Sequence, residues 1–149
     1  MARLRYILPM KFASLFAVVL ALAVSPLSAA DNAHSKTLQQ YDAVRTALVA
    51  DNLAAAKKAG TALAAAAKEE SVSDIQDASQ KLADSSSLKD ARAAFLIISL
   101  VIEKMVKGQP GYFVVTCPMI KGSVWVQTTD KIGNPYAGRE MPECGEIRK

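Results

Sequence analysis

Between residues 36 and 107, apolar side chains recur every three or four positions in four successive blocks, each closed by a short run of turn or capping residues. That spacing is the helical one, and connections this short fold each helix back on the one before it. In the first block, residues 36–50, Leu38, Tyr41, Val44 and Leu48 share a face, and Thr37 followed by Gln40 makes a weak capping box. Asp51 and Asn52 offer a break and a cap. The second block, residues 53–68, sets Leu53, Ala56, Ala59 or Gly60, Leu63 and Ala67 on one side. Alanine is the best helix former and lets a neighbouring helix come close, so the periodic leucines predict a packed helix rather than low-complexity coil. A third helix starts at Ser71 or Ser73 and turns Val72, Ile75, Ala78 or Ser79, and Leu82 inward. Asp84, Ser85, Ser86 and Ser87 end it and cap the fourth.

The fourth block, residues 88–107, is the most apolar. Ala91, Phe95, Ile98, Val101 or Ile102, and Met105 form a stripe that Leu96, Ile97 and Leu100 widen, which predicts cover on more than one side. Glu103 and Lys104 interrupt it and exclude a membrane span there. Gly108 stands where a C-terminal glycine cap belongs, and Pro110-Gly111 prevents resumption. The fold expected is mainly α, a four-helix up-and-down bundle.

The remaining residues change character. Residues 112–117 and 123–128 are β-branched and aromatic, separated by residues 118–122, and predict a β-hairpin with a five-residue connection. Asn134, Pro135, Tyr136 and Gly138 are turn chemistry, with Tyr136 as the anchor of the turn. A lone hairpin is marginal in water, so this small C-terminal hairpin and its turn-rich tail must lie against the bundle.

Composition matters chiefly at the other end. The sequence pI is about 9.1, yet residues 1–30 hold Arg3, Arg5 and Lys11, no acid, an apolar run at 12–24, and small residues up to Ala30. That is the layout of a secretory signal peptide cleaved after Ala30, with an uncleaved N-terminal anchor as the alternative. The 13-residue apolar run is short of the roughly 20 residues that a membrane span needs. Residues 31–149 then keep 15 of the 18 basic residues against all 14 acids. Their charges are interleaved, which argues against nucleic acid as a partner. One domain, periplasmic or secreted, is the expectation for residues 31–149.

Sulfur concentrates in the tail. Met119 is two residues after Cys117, and Met141 is three before Cys144. Converging, these four would offer two thiolates and two thioethers, a soft donor set that selects Cu(I) or Ag(I), with Trp125 as shield or cation–π partner. The competing reading is a Cys117–Cys144 disulfide formed in an oxidising compartment, with both methionines as filling. The only histidine, His34, falls in a polar lead-in, so no Ser-His or Cys-His pair sits on ordered structure, and no glycine-rich phosphate loop opens a helix. A non-enzyme is expected.

Cys117-Pro118-Met119, Trp125, Asn134-Pro135-Tyr136-Ala137-Gly138, Met141 and Cys144-Gly145 together resemble the bacterial DUF3347 family. The Tyr- and Leu-bearing first helix, the alanine-rich second and Asp90-Ala91-Arg92 at the start of the fourth agree with it. The resemblance implies an exported helical domain, in some members fused to periplasmic adaptor subunits of copper and silver efflux pumps. It implies a heavy-metal efflux adaptor or another envelope protein as partner, and it favours the soft-metal reading. N-terminal sequencing of the exported protein should begin at Asp31; a start at Met1 would make the leader an anchor.

Overall fold

N-cap side chains set the starts of two of the four α-helices in the computed structural model, which describes residues 34–148; the leader proposed at 1–30 lies outside the described residues. The helices are α1 (Ser35–Val49), α2 (Leu53–Glu69), α3 (Gln76–Ala83), entered through a 3-10 turn at Ser73–Ile75, and α4 (Leu88–Met105). Asn52 accepts the Ala55 N–H at 2.9 Å. At α4, the Ser87 hydroxyl accepts the Asp90 N–H at 3.1 Å and donates to the Asp90 carboxylate at 2.7 Å. Each cap satisfies a backbone donor that the first turn of a helix leaves without a partner.

The start of α1 departs from expectation. The Thr37–Gln40 box does not form, because the helix begins earlier, with His34 as N-cap at φ 72 and no side-chain cap. Glu70, at the end of α2, supplies the cap instead: its carboxylate accepts the N–H of Lys36 at 3.0 Å and of Thr37 at 2.9 Å. Lys36 pairs with the adjacent Glu69. A carboxylate at the positive end of a helix is stabilising, and here it also ties the end of α2 to the start of α1.

Consecutive helices pack on one another, and α4 also reaches α1 and α2. Val44, Leu48, Leu63, Ile75, Leu82, Phe95, Ile98 and Ile102 are fully buried. At Gly60, α2 and α3 come too close to leave room for a side chain. A Cβ there would stand 2.6 Å from Leu82 Cδ2 and 3.1 Å from the Ala83 backbone nitrogen.

The expected cover on more than one side of α4 is incomplete. Ile97 and Leu100 remain 49% and 46% exposed. α3, β2, α1 and α2 pack against the helix, and they leave this side of it open.

The hairpin forms as β1 (Phe113–Thr116) and β2 (Trp125–Gln127), antiparallel, with Val114 opposite Val126 and Val115 opposite Trp125. Its connection is longer than expected, residues 117–124. A third strand, β3 (Glu146–Ile147), adds to the other side of β1, giving the order β2-β1-β3. Two exposed residues in a charged tail carry no periodicity by which to see that strand. Val115 and Trp125 point into the core shared with the helices. Among the described residues, no helix is long and apolar enough to cross a membrane.

Burial by itself would raise the pKa of Glu70, but the hydrogen bonds from Thr37 and Lys36 outweigh it and hold the carboxyl below its ordinary value. A depressed carboxyl contributes stability above its unfolded pKa, and that contribution is lost as pH falls through the folded pKa. Glu70→Gln should therefore lower stability by up to about 1 kcal/mol at pH 7. Denaturant titrations of the two proteins should converge once the pH has fallen below the folded-state pKa of that carboxyl.

Candidate functional site

Cys117 directly follows β1, and Cys144 lies just before β3. Because β1 and β3 pair antiparallel, the two cysteines become neighbours, with Cα atoms 5.8 Å apart, and a disulfide joins them. Cys117 is 3% exposed. Its N–H donates to Ser123 Oγ at 3.1 Å, and that hydroxyl donates back to the Cys117 carbonyl at 3.3 Å, closing the connection between β1 and β2.

Both methionines lie on tight turns that begin or end at a cysteine. The Ile120 N–H donates to the Cys117 carbonyl at 3.2 Å, so Met119 is the third residue of that turn; the Cys144 N–H donates to the Met141 carbonyl at 3.2 Å, so Met141 opens the other. The ends of such a turn are within about 7 Å of each other. The disulfide thus staples together two turns that carry four of the sulfur atoms. Met119 is 72% exposed and Met141 37%, so neither thioether is core filling.

Trp125 is buried beneath the tail rather than at its surface. Its Nε1–H donates to Gln127 Oε1 at 3.0 Å, and a Cβ on Gly145 would come within 2.9 Å of the indole. The segment after Cys144 therefore lies directly on the ring. Among the described residues, no three His, Cys, Asp or Glu side chains group closely enough to hold a metal ion. His34 lines a separate cleft with Val72, Asp74 and Met105.

The turn residues act as the fastening between tail and bundle. Asn134 is fully buried and uses every polar group it has. Its Oδ1 accepts the N–H of Tyr136 at 2.9 Å and of Ala137 at 3.0 Å. Its side-chain amide donates to the Cys144 carbonyl at 2.8 Å, and its backbone N–H donates to Pro142 O at 2.8 Å. The 134–138 turn and the 141–144 turn are thereby one unit. Arg92 on α4 grips that unit, donating to the Pro135 carbonyl at 2.8 Å and to Asp51 at 2.5 Å. Asp51 accepts the Arg139 N–H at 3.0 Å. That backbone hydrogen bond, with the Arg92 guanidinium, holds the Asp51 carboxyl below its ordinary pKa against the opposing effect of burial. Gly138, at φ 56, is required here, because a Cβ would run into Asp51 and Arg92.

Tyr136 carries the fastening inward. Its hydroxyl donates to the Val124 carbonyl at 2.6 Å and stands 3.5 Å from Ser99 Oγ, which in turn is 2.8 Å from the Tyr41 hydroxyl. Burial pushes both phenols far above their ordinary pKa, so both remain neutral. The expectation that Tyr136 anchors a turn describes its position; its partners Ser99 and Phe95 on α4 had no signal in the sequence. Asp51 and Arg92 are likewise 41 positions apart, and neither spacing nor composition links them.

Chemically, the oxidised tail is a rigid, cross-linked cap with two thioethers on its surface. Reduced, it would hold two thiols and two thioethers on neighbouring turns.

The model of a family described as a protein of unknown function, DUF3347, matches residues 37–110. That span takes in the four helices and stops before β1, so the tail motifs lie beyond it. No curated protein and no solved structure matches the chain.

Asn134→Ala should lower stability by about 2–4 kcal/mol, since it strands two buried N–H groups and a carbonyl. It should also speed reduction of the disulfide by dithiothreitol, followed by thiol labelling, because the Cys144 segment loses its anchor.

Proposed function

Residues 37–110 are a DUF3347 domain, and from that premise we propose that the protein is an exported, non-catalytic binding module of the cell envelope, its tail kept in shape by a structural disulfide. The observation that carries this reading is the Cys117–Cys144 bond itself. It engages both cysteines, one of them buried, and closes a loop of 27 positions. In the chain-entropy account such a loop contributes about 3–4 kcal/mol, which suits a small sheet with little core of its own. A disulfide of this kind belongs to an oxidising compartment, in keeping with the leader expected at 1–30. Its partner is an envelope protein, of which a heavy-metal efflux adaptor is the example that the family resemblance supplies.

A second reading has one observation in its favour, the exposure of Met119 and Met141 on the two stapled turns. On this reading, reduction frees Cys117 and Cys144, and the four sulfurs bind Cu(I) or Ag(I), as a carrier or accessory in heavy-metal resistance. Trp125, beneath the same turns, would then shield the ion.

Thiol titration of the protein recovered from an oxidising compartment separates the two. The structural reading expects no free thiol before reduction and no stoichiometric Cu(I) uptake by the oxidised form. Two free thiols together with one bound Cu(I), abolished in the Met119→Ala/Met141→Ala double variant, would overturn it in favour of the metal carrier.

A further inference from the structure

α4 presents an apolar face that the rest of the fold leaves open. Ala93, Leu96, Ile97 and Leu100 stand at i, i+3, i+4 and i+7, which places them along one side of the helix. Beside them runs an open cleft of about 360 Å³, whose floor includes Ala93, Leu96, Ile120 and Tyr136. Met119, 72% exposed on the same turn as Ile120, extends the apolar side outward.

The charged side chains that line this cleft have one sign. Lys89, Arg92 and Lys121 line it, and no acid does. Arg92 is committed to Asp51 and Pro135. Lys89 and Lys121 are exposed and enter no ion pair among the described residues; the neighbouring Asp90 carboxylate feels the charge of Lys89 but is hydrogen-bonded to the Ser86 and Ser87 hydroxyls instead. In a chain whose residues 31–149 carry 15 basic against 14 acidic side chains, this is a local excess rather than a reflection of overall charge.

We infer that the α4 cleft docks an amphipathic helix of a partner protein, one that presents an apolar stripe flanked by acidic residues. This rests on the binding-module reading and names the partner's chemistry. An apolar stripe at i, i+3, i+4 and i+7 is the footprint on which a single helix lays its own anchors. The two exposed lysines supply orientation and selectivity for acidic flanks, and they act against a basic helix of the same hydrophobicity.

The test uses the exported protein with its disulfide intact and no metal added. Two labelled peptides of roughly four helical turns, identical in leucine stripe and flanked by Glu in one and Lys in the other, are titrated by fluorescence anisotropy. The Glu peptide should bind saturably and about tenfold more tightly than the Lys peptide. Lys89→Glu/Lys121→Glu should reverse that preference, and Ile97→Asp/Leu100→Asp should abolish binding of both; the substituted side chains are exposed, and far-UV circular dichroism checks that the variants fold. Equal affinity for the two peptides, absence of saturable binding, or binding unchanged in the aspartate variant would overturn the inference. So would a sedimenting dimer dissolved by that variant, which would make a second copy the occupant, or flotation with anionic vesicles lost in it, which would make a membrane the occupant. None of these outcomes bears on thiol content, so the inference can fail while the disulfide-stapled module stands, and free thiols with bound Cu(I) would sink that module without altering the peptide result.

Discussion

The burial of one aromatic column holds the two halves of this fold together. Tyr41 of α1 stacks on Phe95 of α4 with ring centroids 5.0 Å apart, Phe95 meets Tyr136 of the tail at 5.9 Å, and Tyr136 meets Trp125 of β2 edge-on at 6.0 Å. The sheet has three short strands and could not stand alone in water. Against α4 it shares a core, and the column is where that sharing happens. The same tyrosines also solve the problem of the sheet's edge. β2 is an edge strand, and its outward groups would otherwise be buried without partners. The Val126 N–H donates to the Tyr41 hydroxyl at 3.0 Å, and the Val124 carbonyl accepts from Tyr136. A helix and a turn thus take the place of the missing strand, and the edge is closed to pairing with another chain.

The tail is organised around this column as a set of nested ties. Asn134 fixes the 134–138 turn to the Cys144 segment, Arg92 and Asp51 fix that turn to the helices, and the disulfide fixes the Cys144 segment to the end of β1. Gln127 adds another, accepting from the Trp125 indole and donating to the Thr129 and Lys131 carbonyls. Satisfied polar groups of this kind add little net stability each, but leaving any one unpaired is costly, and so the arrangement is specific. A surface built on such a base is stiff. Such a base fits the docking proposed for the α4 cleft, because little conformational freedom would be lost on binding.

How far the chain could be read from its sequence depended on the range of the interaction. The four helices, the caps at Asn52 and Ser87 and the hairpin were legible, because each is written within a few neighbouring residues. The cap of α1 was not, because Glu70 reaches it from 33 positions away. β3 was not, because Glu146 and Ile147 are too few to show a period, and it is their pairing with β1 that makes them a strand. The sulfur residues were legible as a group, but whether the cysteines bond to each other depends on where β1 and β3 end. The excess width of the stripe on α4 was visible too, and the structure changed its meaning from a buried face to an open one.

By itself, then, the sequence determined the helical periods, the polar interruptions between them, the change to β-branched and aromatic residues after the fourth helix, and the presence of a methionine near each cysteine. These are local properties, set by side-chain spacing and backbone preference. Only the tertiary structure decided that Tyr41, Ser99 and Tyr136 meet, that Arg92 reaches Asp51 and the turn at Pro135, that Cys117 and Cys144 are joined, and that Ile97 and Leu100 face outward. Each of those depends on elements distant in the chain arriving at one place, and that placement is set by the packing of the whole core, which no short stretch of residues specifies.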